Sequence, residues 1–192
     1  MYIVCMNLIK HPFWISLIAC TPMAAGPPPT QIPVGFKQEF GSSFGSGVQI
    51  TDQEVPPLFL EKSLWYRKSV GDKSEFHLLG GGAWNGDPIF YGAVGFRRYF
   101  VTADGGEFGI DAKFGGPFYM EIGLPLQKQV TNTIWLTTHP SVGLNGFGTV
   151  HLPIGLNWKP KDKWFINTSL GTRFLNENPQ LIYWNGGVSI PF

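Results

Sequence analysis

The stretch that most constrains this 192-residue chain is its last one, Gln180–Phe192, QLIYWNGGVSIPF. Read with a period of two, Ile182, Trp184, Gly186, Val188, Ile190 and Phe192 share one face. Leu181, Tyr183, Asn185, Gly187, Ser189 and Pro191 share the other. That is a strand with one greasy side, and the chain stops on an aromatic residue. The same alternation recurs upstream. Phe118, Met120, Ile122, Leu124 and Leu126 oppose Tyr119, Glu121, Gly123 and Gln127, while Val150, Leu152, Ile154, Leu156 and Trp158 oppose Thr149, His151, Gly155 and Asn157. In a soluble β-sandwich, the alternative reading, the less apolar face is a surface rich in Lys and Glu. Here that face carries Gly, Ser, Asn and Thr, which suits a narrow interior enclosed by a sheet whose greasy side points outward.

Composition supports a membrane setting for such a sheet. Charged residues make up 14% of the chain, against roughly 25% in soluble domains. Aromatics reach 15%, with 25 Gly and 16 Pro. Apolar runs are all shorter than the ~18 residues of a membrane helix. Alternation hides an apolar strand face from a hydropathy window. The net charge of +1 gives no electrostatic footprint for nucleic acid.

Ten alternating stretches follow residue 34. They are Phe36–Ile50, Leu58–Val70, Ser74–Trp84, Ile89–Val101, Glu107–Phe114, Phe118–Lys128, Thr133–Leu144, Gly148–Trp158, Trp164–Leu175 and Gln180–Phe192. Asn, Asp, Gly and Pro fill the breaks, as turn geometry requires. The expected fold is all-β, an antiparallel up-and-down transmembrane β-barrel of about ten strands over 35–192. Eight strands is the alternative, because Phe36–Ile50 is rich in Gly and Ser and Ile89–Lys113 divides in more than one way. An even count puts both chain ends at one rim.

Two short motifs carry resemblances. Asn185-x-Gly187-x-x-Ile190-x-Phe192 resembles the C-terminal assembly signal of Gram-negative outer-membrane barrels. This implies an outer-membrane location, with membrane lipids and the barrel assembly machinery as partners and an envelope protein as a further one. Near the start, Pro12–Ala19 is a short apolar run ending in Leu17-Ile18-Ala19-Cys20, which resembles a lipobox. The resemblance implies a lipoprotein-type signal peptide over 1–19 and lipidation of Cys20. The alternative is an ordinary signal peptide cut later, after Met23-Ala24-Ala25. Cys5 and Cys20 are the only cysteines, so the body has no disulfide framework. Residues 20–34 are Pro-rich and expected to be an extended tether between lipid and barrel.

Candidate chemistry lies on the inward parity. Glu61, Arg67, Glu75, Arg97, Asp111, Lys113, Glu121 and Arg173 all fall opposite the apolar stripes, four of each sign. Charges in a narrow lumen must be paired or wet. A balanced set suggests a plug of ion pairs, whereas a selectivity ring favours one sign. His139 and Ser141, two apart, resemble the His-x-Ser element of lipid A deacylase barrels, with Glu121 as the only acid placed to complete a relay. Val142 stands where those enzymes have Asn, so a structural, narrow-pore or anchoring role is preferred and lipid hydrolysis is the alternative. No cofactor and no metal site is expected. Aromatics near strand ends, Trp65, Trp84, Tyr99, Trp158, Phe165, Tyr183 and Trp184 among them, are expected to form interfacial girdles.

Overall fold

Alternation becomes a closed wall in the computed structural model. It describes residues 27–28, 32, 36–50, 58–85, 87–101, 106–116, 119–144, 148–161, 164–175 and 178–192. In chain order the strands are β1 (Gln38–Gln49), β2 (Leu58–Gly71), β3 (Ser74–Asn85), β4 (Asp87–Val101), β5 (Gly106–Gly116), β6 (Tyr119–Gly123), β7 (Leu126–Thr131), β8 (Ile134–Thr138), β9 (Ser141–Leu144), β10 (Gly148–Lys161), β11 (Trp164–Leu175) and β12 (Asn178–Pro191). All pairings are antiparallel.

Twelve strands make ten spans. The stretches expected at Phe118–Lys128 and Thr133–Leu144 are each split in two, at Leu124-Pro125 and at His139-Pro140. Proline has no N–H to give a ladder, so a central strand yields at that point. The two breaks face each other, and the Leu124 amide donates to the Pro140 carbonyl at 2.8 Å. On the other side the Gly109 amide donates to the Pro125 carbonyl at 2.7 Å. Both proline carbonyls thereby stay paired. β6 and β7 both pair with β5, and β8 and β9 both pair with β10, so the wall continues across the breaks. Ten spans is the expected count, and the eight-strand alternative does not hold.

The first and last strands close the barrel, from Glu39↔Pro191 to Gln49↔Leu181. Phe192 completes this seam. Its amide donates to the Gln38 carbonyl at 2.8 Å, and its carbonyl accepts from the amides of Gln38 at 3.0 Å and Lys37 at 3.3 Å. Closure leaves no free edge, which a sheet in lipid requires.

The two faces sort as their parity says. Phe40, Phe44, Val94, Phe96, Ile110, Ile154, Ile182, Val188 and Ile190 point outward and are exposed. Arg67, Glu75, Arg97, Asp111, His77 and His151 point inward and are buried. Inward glycines make room for rings. A Cβ on Gly41 would lie 2.2 Å from the Trp65 indole, and one on Gly95 would lie 2.1 Å from the His77 imidazole. The exposed apolar face has no favourable place in water and is satisfied by lipid. Among the described residues no helix is long and apolar enough to cross a membrane; this chain crosses with strands.

Because Phe192 supplies three main-chain hydrogen bonds at the closing seam, its deletion should sharply lower the amount of protein in the membrane fraction. Val188→Ala trims an outward side chain and should lower it only mildly. Comparing membrane-fraction yields of the two variants tests this, and equal yields would refute it.

Candidate functional site

The inward parity of β1 to β6 places charges on consecutive strands. Register then makes them partners, because Glu39↔Arg67, Glu75↔Arg97, Arg97↔Asp111 and Lys113↔Glu121 are directly opposed. Arg67 donates from Nε to Glu39 Oε2 at 3.0 Å and also binds that oxygen through Nη2. Its Nη1 lies 3.3 Å from Glu75 Oε2. Arg97 donates from Nη2 to Asp111 Oδ2 at 3.0 Å and from Nη1 to the Tyr99 hydroxyl oxygen at 3.0 Å. Lys113 Nζ lies 2.7 Å from Glu121 Oε1 and 3.8 Å from Asp111 Oδ2. All seven residues are at most 5% exposed. Isolated, each charge would cost several kcal/mol; paired, most of that cost is offset.

Six of the eight charges expected in the lumen therefore belong to one band. Of the other two, Glu61 is buried and accepts from the Tyr91 hydroxyl. Arg173 is half-buried on β11, opposite His151 and Leu181. Sequence reasoning missed Glu39. It opens a strand of Gly and Ser, but it shares the parity of Gly41 and Ser43, and that signal was available.

Three described residues from the N-terminal part of the chain lie in this interior. Within 20–34, expected as a tether, Pro27, Pro28 and Ile32 are described and all three are buried. Arg97 donates to the Pro28 carbonyl at 2.8 Å and to the Pro27 carbonyl at 3.4 Å. The Ile32 amide donates to Glu75 Oε1 at 2.7 Å. At these residues the segment is inside the barrel, not a spacer at its rim. A cavity of about 50 Å³ remains beside it, bordered by Lys113, Glu121, His139, Ser141, Asn167 and Asn185. That is room for a few waters.

The three hydrolase candidates border this cavity but do not form a relay. His139 Nε2 faces Asp111 Oδ2 at 3.3 Å. Glu121 is engaged by Lys113. Ser141, 6% exposed, points inward, whereas the acyl groups of a lipid lie outside the wall. His77 Nε2 also approaches Asp111, at 3.5 Å. Among the described residues no group of His, Cys, Asp and Glu is arranged to hold a metal ion.

The assembly-signal residues divide by parity. Asn185 is buried and inward, Gly187 lies between Ser43 and Asn167 in register, and Ile190 and Phe192 are exposed on the outer face. Cys20 and the segment 1–19, expected to be a signal peptide, lie outside the described residues. Of the aromatics expected in a girdle, Trp84, Trp158 and Trp184 point outward, whereas Trp65, Tyr99, Phe165 and Tyr183 are buried inside and take no part in one. Parity, not distance from a strand end, decides on which side of the wall a ring sits.

No protein-family model and no curated protein sequence matches this chain. In structure it is similar to Ail, the attachment invasion locus protein of Yersinia pestis, at 12% identity and a TM-score of 0.43, covering 82% of this chain and 99% of that one. It is similar to the KdgM porin at 8% identity and a TM-score of 0.47, covering 80% and 99%. An outer membrane channel from Pseudomonas putida F1 aligns at 8% identity and a TM-score of 0.48, covering 83% and 97%. At these values no residue role passes between chains. The fold stands on the closed ladder and the outward apolar face seen here. A closed antiparallel barrel with an apolar outer face is the fold of outer-membrane β-barrels.

Arg67 is the shared cation of two carboxylates, so Arg67→Met leaves Glu39 and Glu75 buried without it. We expect a loss of about 3–5 kcal/mol, read as a lower denaturant midpoint for the heat-modifiable gel shift of the protein in lipid vesicles. Lys68→Met, exposed one residue along, should leave the midpoint nearly unchanged.

Proposed function

We propose that this chain is a lipid-anchored outer-membrane barrel with a closed lumen, acting as a structural or envelope-anchoring element rather than an open pore. The observation that carries this reading is the band of buried ion pairs from Glu39 to Glu121, with residues of the N-terminal segment packed on it. The band mixes four carboxylates with three cations, and a filter for one sign of ion would be lined by the other sign. The cavity beside those residues measures about 50 Å³.

The anchor is the lipobox-like Leu17–Cys20. An acylated Cys20 holds the chain at the membrane independently of the barrel. Membrane lipids cover the outer face, the assembly machinery reads the Asn185–Phe192 signal, and an envelope protein is the partner an anchor serves. Lipid hydrolysis is the weaker reading, since Ser141 has no relay and no access to lipid.

In planar bilayers the full-length protein should show no steady conductance at moderate voltage, and a stable open channel would overturn the closed-lumen reading. Intact-mass analysis of the mature protein should find an acylated N-terminus at Cys20. A mature chain starting at residue 24 or later would remove the anchor and leave the barrel standing.

A further inference from the structure

Three strands that run toward the rim holding both chain ends carry a cation at the same depth. Lys68 lies three residues before the end of β2 at Gly71. Arg98 lies three before the end of β4 at Val101, and Lys128 three before the end of β7 at Thr131. All three take the outward parity and are exposed. β3 stands between β2 and β4, and β5 between β4 and β7. Alternate strands lie roughly 10 Å apart, so the cations form a spaced row along one sector of the rim.

A charge on a lipid-facing wall is costly unless its head reaches the interface. Lysine and arginine this close to a strand end reach it by lying along the wall toward the rim. Arg98 has that pose. Its guanidinium carbon sits 6.0 Å from the ring centroid of Phe100, two residues nearer the rim. Phe100 stacks on Phe108 of β5, with centroids 5.1 Å apart. The pair of rings supports the guanidinium from one side and leaves its N–H groups to the headgroup layer.

The row has no acid beside it. Glu39, Glu61, Glu75, Glu107, Asp111 and Glu121 all take the inward parity. Among the described residues no carboxylate forms an ion pair with Lys68, Arg98 or Lys128. The exposed Lys37 and Lys73 add charge of the same sign at this rim, with Asp72 in the turn beside Lys73. A zwitterionic headgroup brings an ammonium as well as a phosphate, and this face offers the ammonium no partner. A headgroup of net negative charge needs only cations.

We propose that Lys68, Arg98 and Lys128 form a binding surface for anionic glycerophospholipids, their headgroups seated along this rim and their acyl chains on the apolar wall above. The surface lies outside the wall and does not depend on the state of the lumen.

The test uses the full chain in phosphatidylcholine vesicles, with folding checked by heat-modifiable mobility. A trace of phosphatidylglycerol or phosphatidylcholine carries a nitroxide on its acyl chain, and electron spin resonance reads the fraction immobilised against the protein. At low salt the association of phosphatidylglycerol relative to phosphatidylcholine should be about twofold or more. It should fall to near one at high salt and in the variant joining Lys68→Gln, Arg98→Gln and Lys128→Gln. Arg98→Gln alone should lower the ratio part of the way, which covers a triple variant that does not fold. Lys62→Gln, a lone outward cation near the other end of β2, should leave it nearly unchanged. A ratio near one in the unmodified chain overturns the proposal. So does a ratio that the rim substitutions leave intact, or one lost equally in Lys62→Gln.

Discussion

A guanidinium sealed within a β-wall is tolerable only if carboxylates meet it there. The interior of this barrel is organised by that requirement. Arg67 draws Glu39 from β1 and Glu75 from β3; Arg97 draws Asp111 from β5; Lys113 draws Glu121 from β6. Each pair joins neighbouring strands, so the charges reinforce the register that the ladder already sets. With its lipid-facing side largely apolar, the sheet gains little specificity from its exterior. The polar interior distinguishes one register from a slip of two residues, which would leave every outward side chain outward.

Much of the architecture was legible in the sequence because alternation is a local property. The inward position of Glu61, Arg67, Glu75, Arg97, Asp111, Lys113 and Glu121 follows from period two alone, as does the outward position of Ile190 and Phe192. Partnership does not follow. Whether Glu121 meets His139 or Lys113 depends on how β6 aligns with β5, and no local pattern encodes that. The proline breaks at Pro125 and Pro140 were visible as residues, yet a stretch that keeps its parity on both sides of a break reads as one strand. Trp65, Tyr99 and Tyr183 show the other failing, where a familiar role for aromatic rings displaced the simpler rule of parity. Residues 20–34 read as an extended tether. That Pro27, Pro28 and Ile32 lie inside the barrel was not legible, because a segment with no alternation says nothing about what it packs against.

The interior also explains the glycines. A narrow lumen filled by Trp65, His77, His139 and Tyr183 needs hollows, and Gly41, Gly95, Gly123 and Gly171 provide them under those rings. Glycine costs a strand backbone entropy. Here the cost is set against close packing of large side chains that would otherwise have nowhere to lie.

The filling of the lumen is carried by the strand that closes it. Pro27, Pro28 and Ile32, inside the barrel, precede β1, and β1 pairs with β12 to complete the wall. An open sheet would leave the charges of β1 to β6 facing water, and the β1–β12 seam encloses them. The pairing of the two ends of the sheet is thus also what keeps the ion pairs out of water.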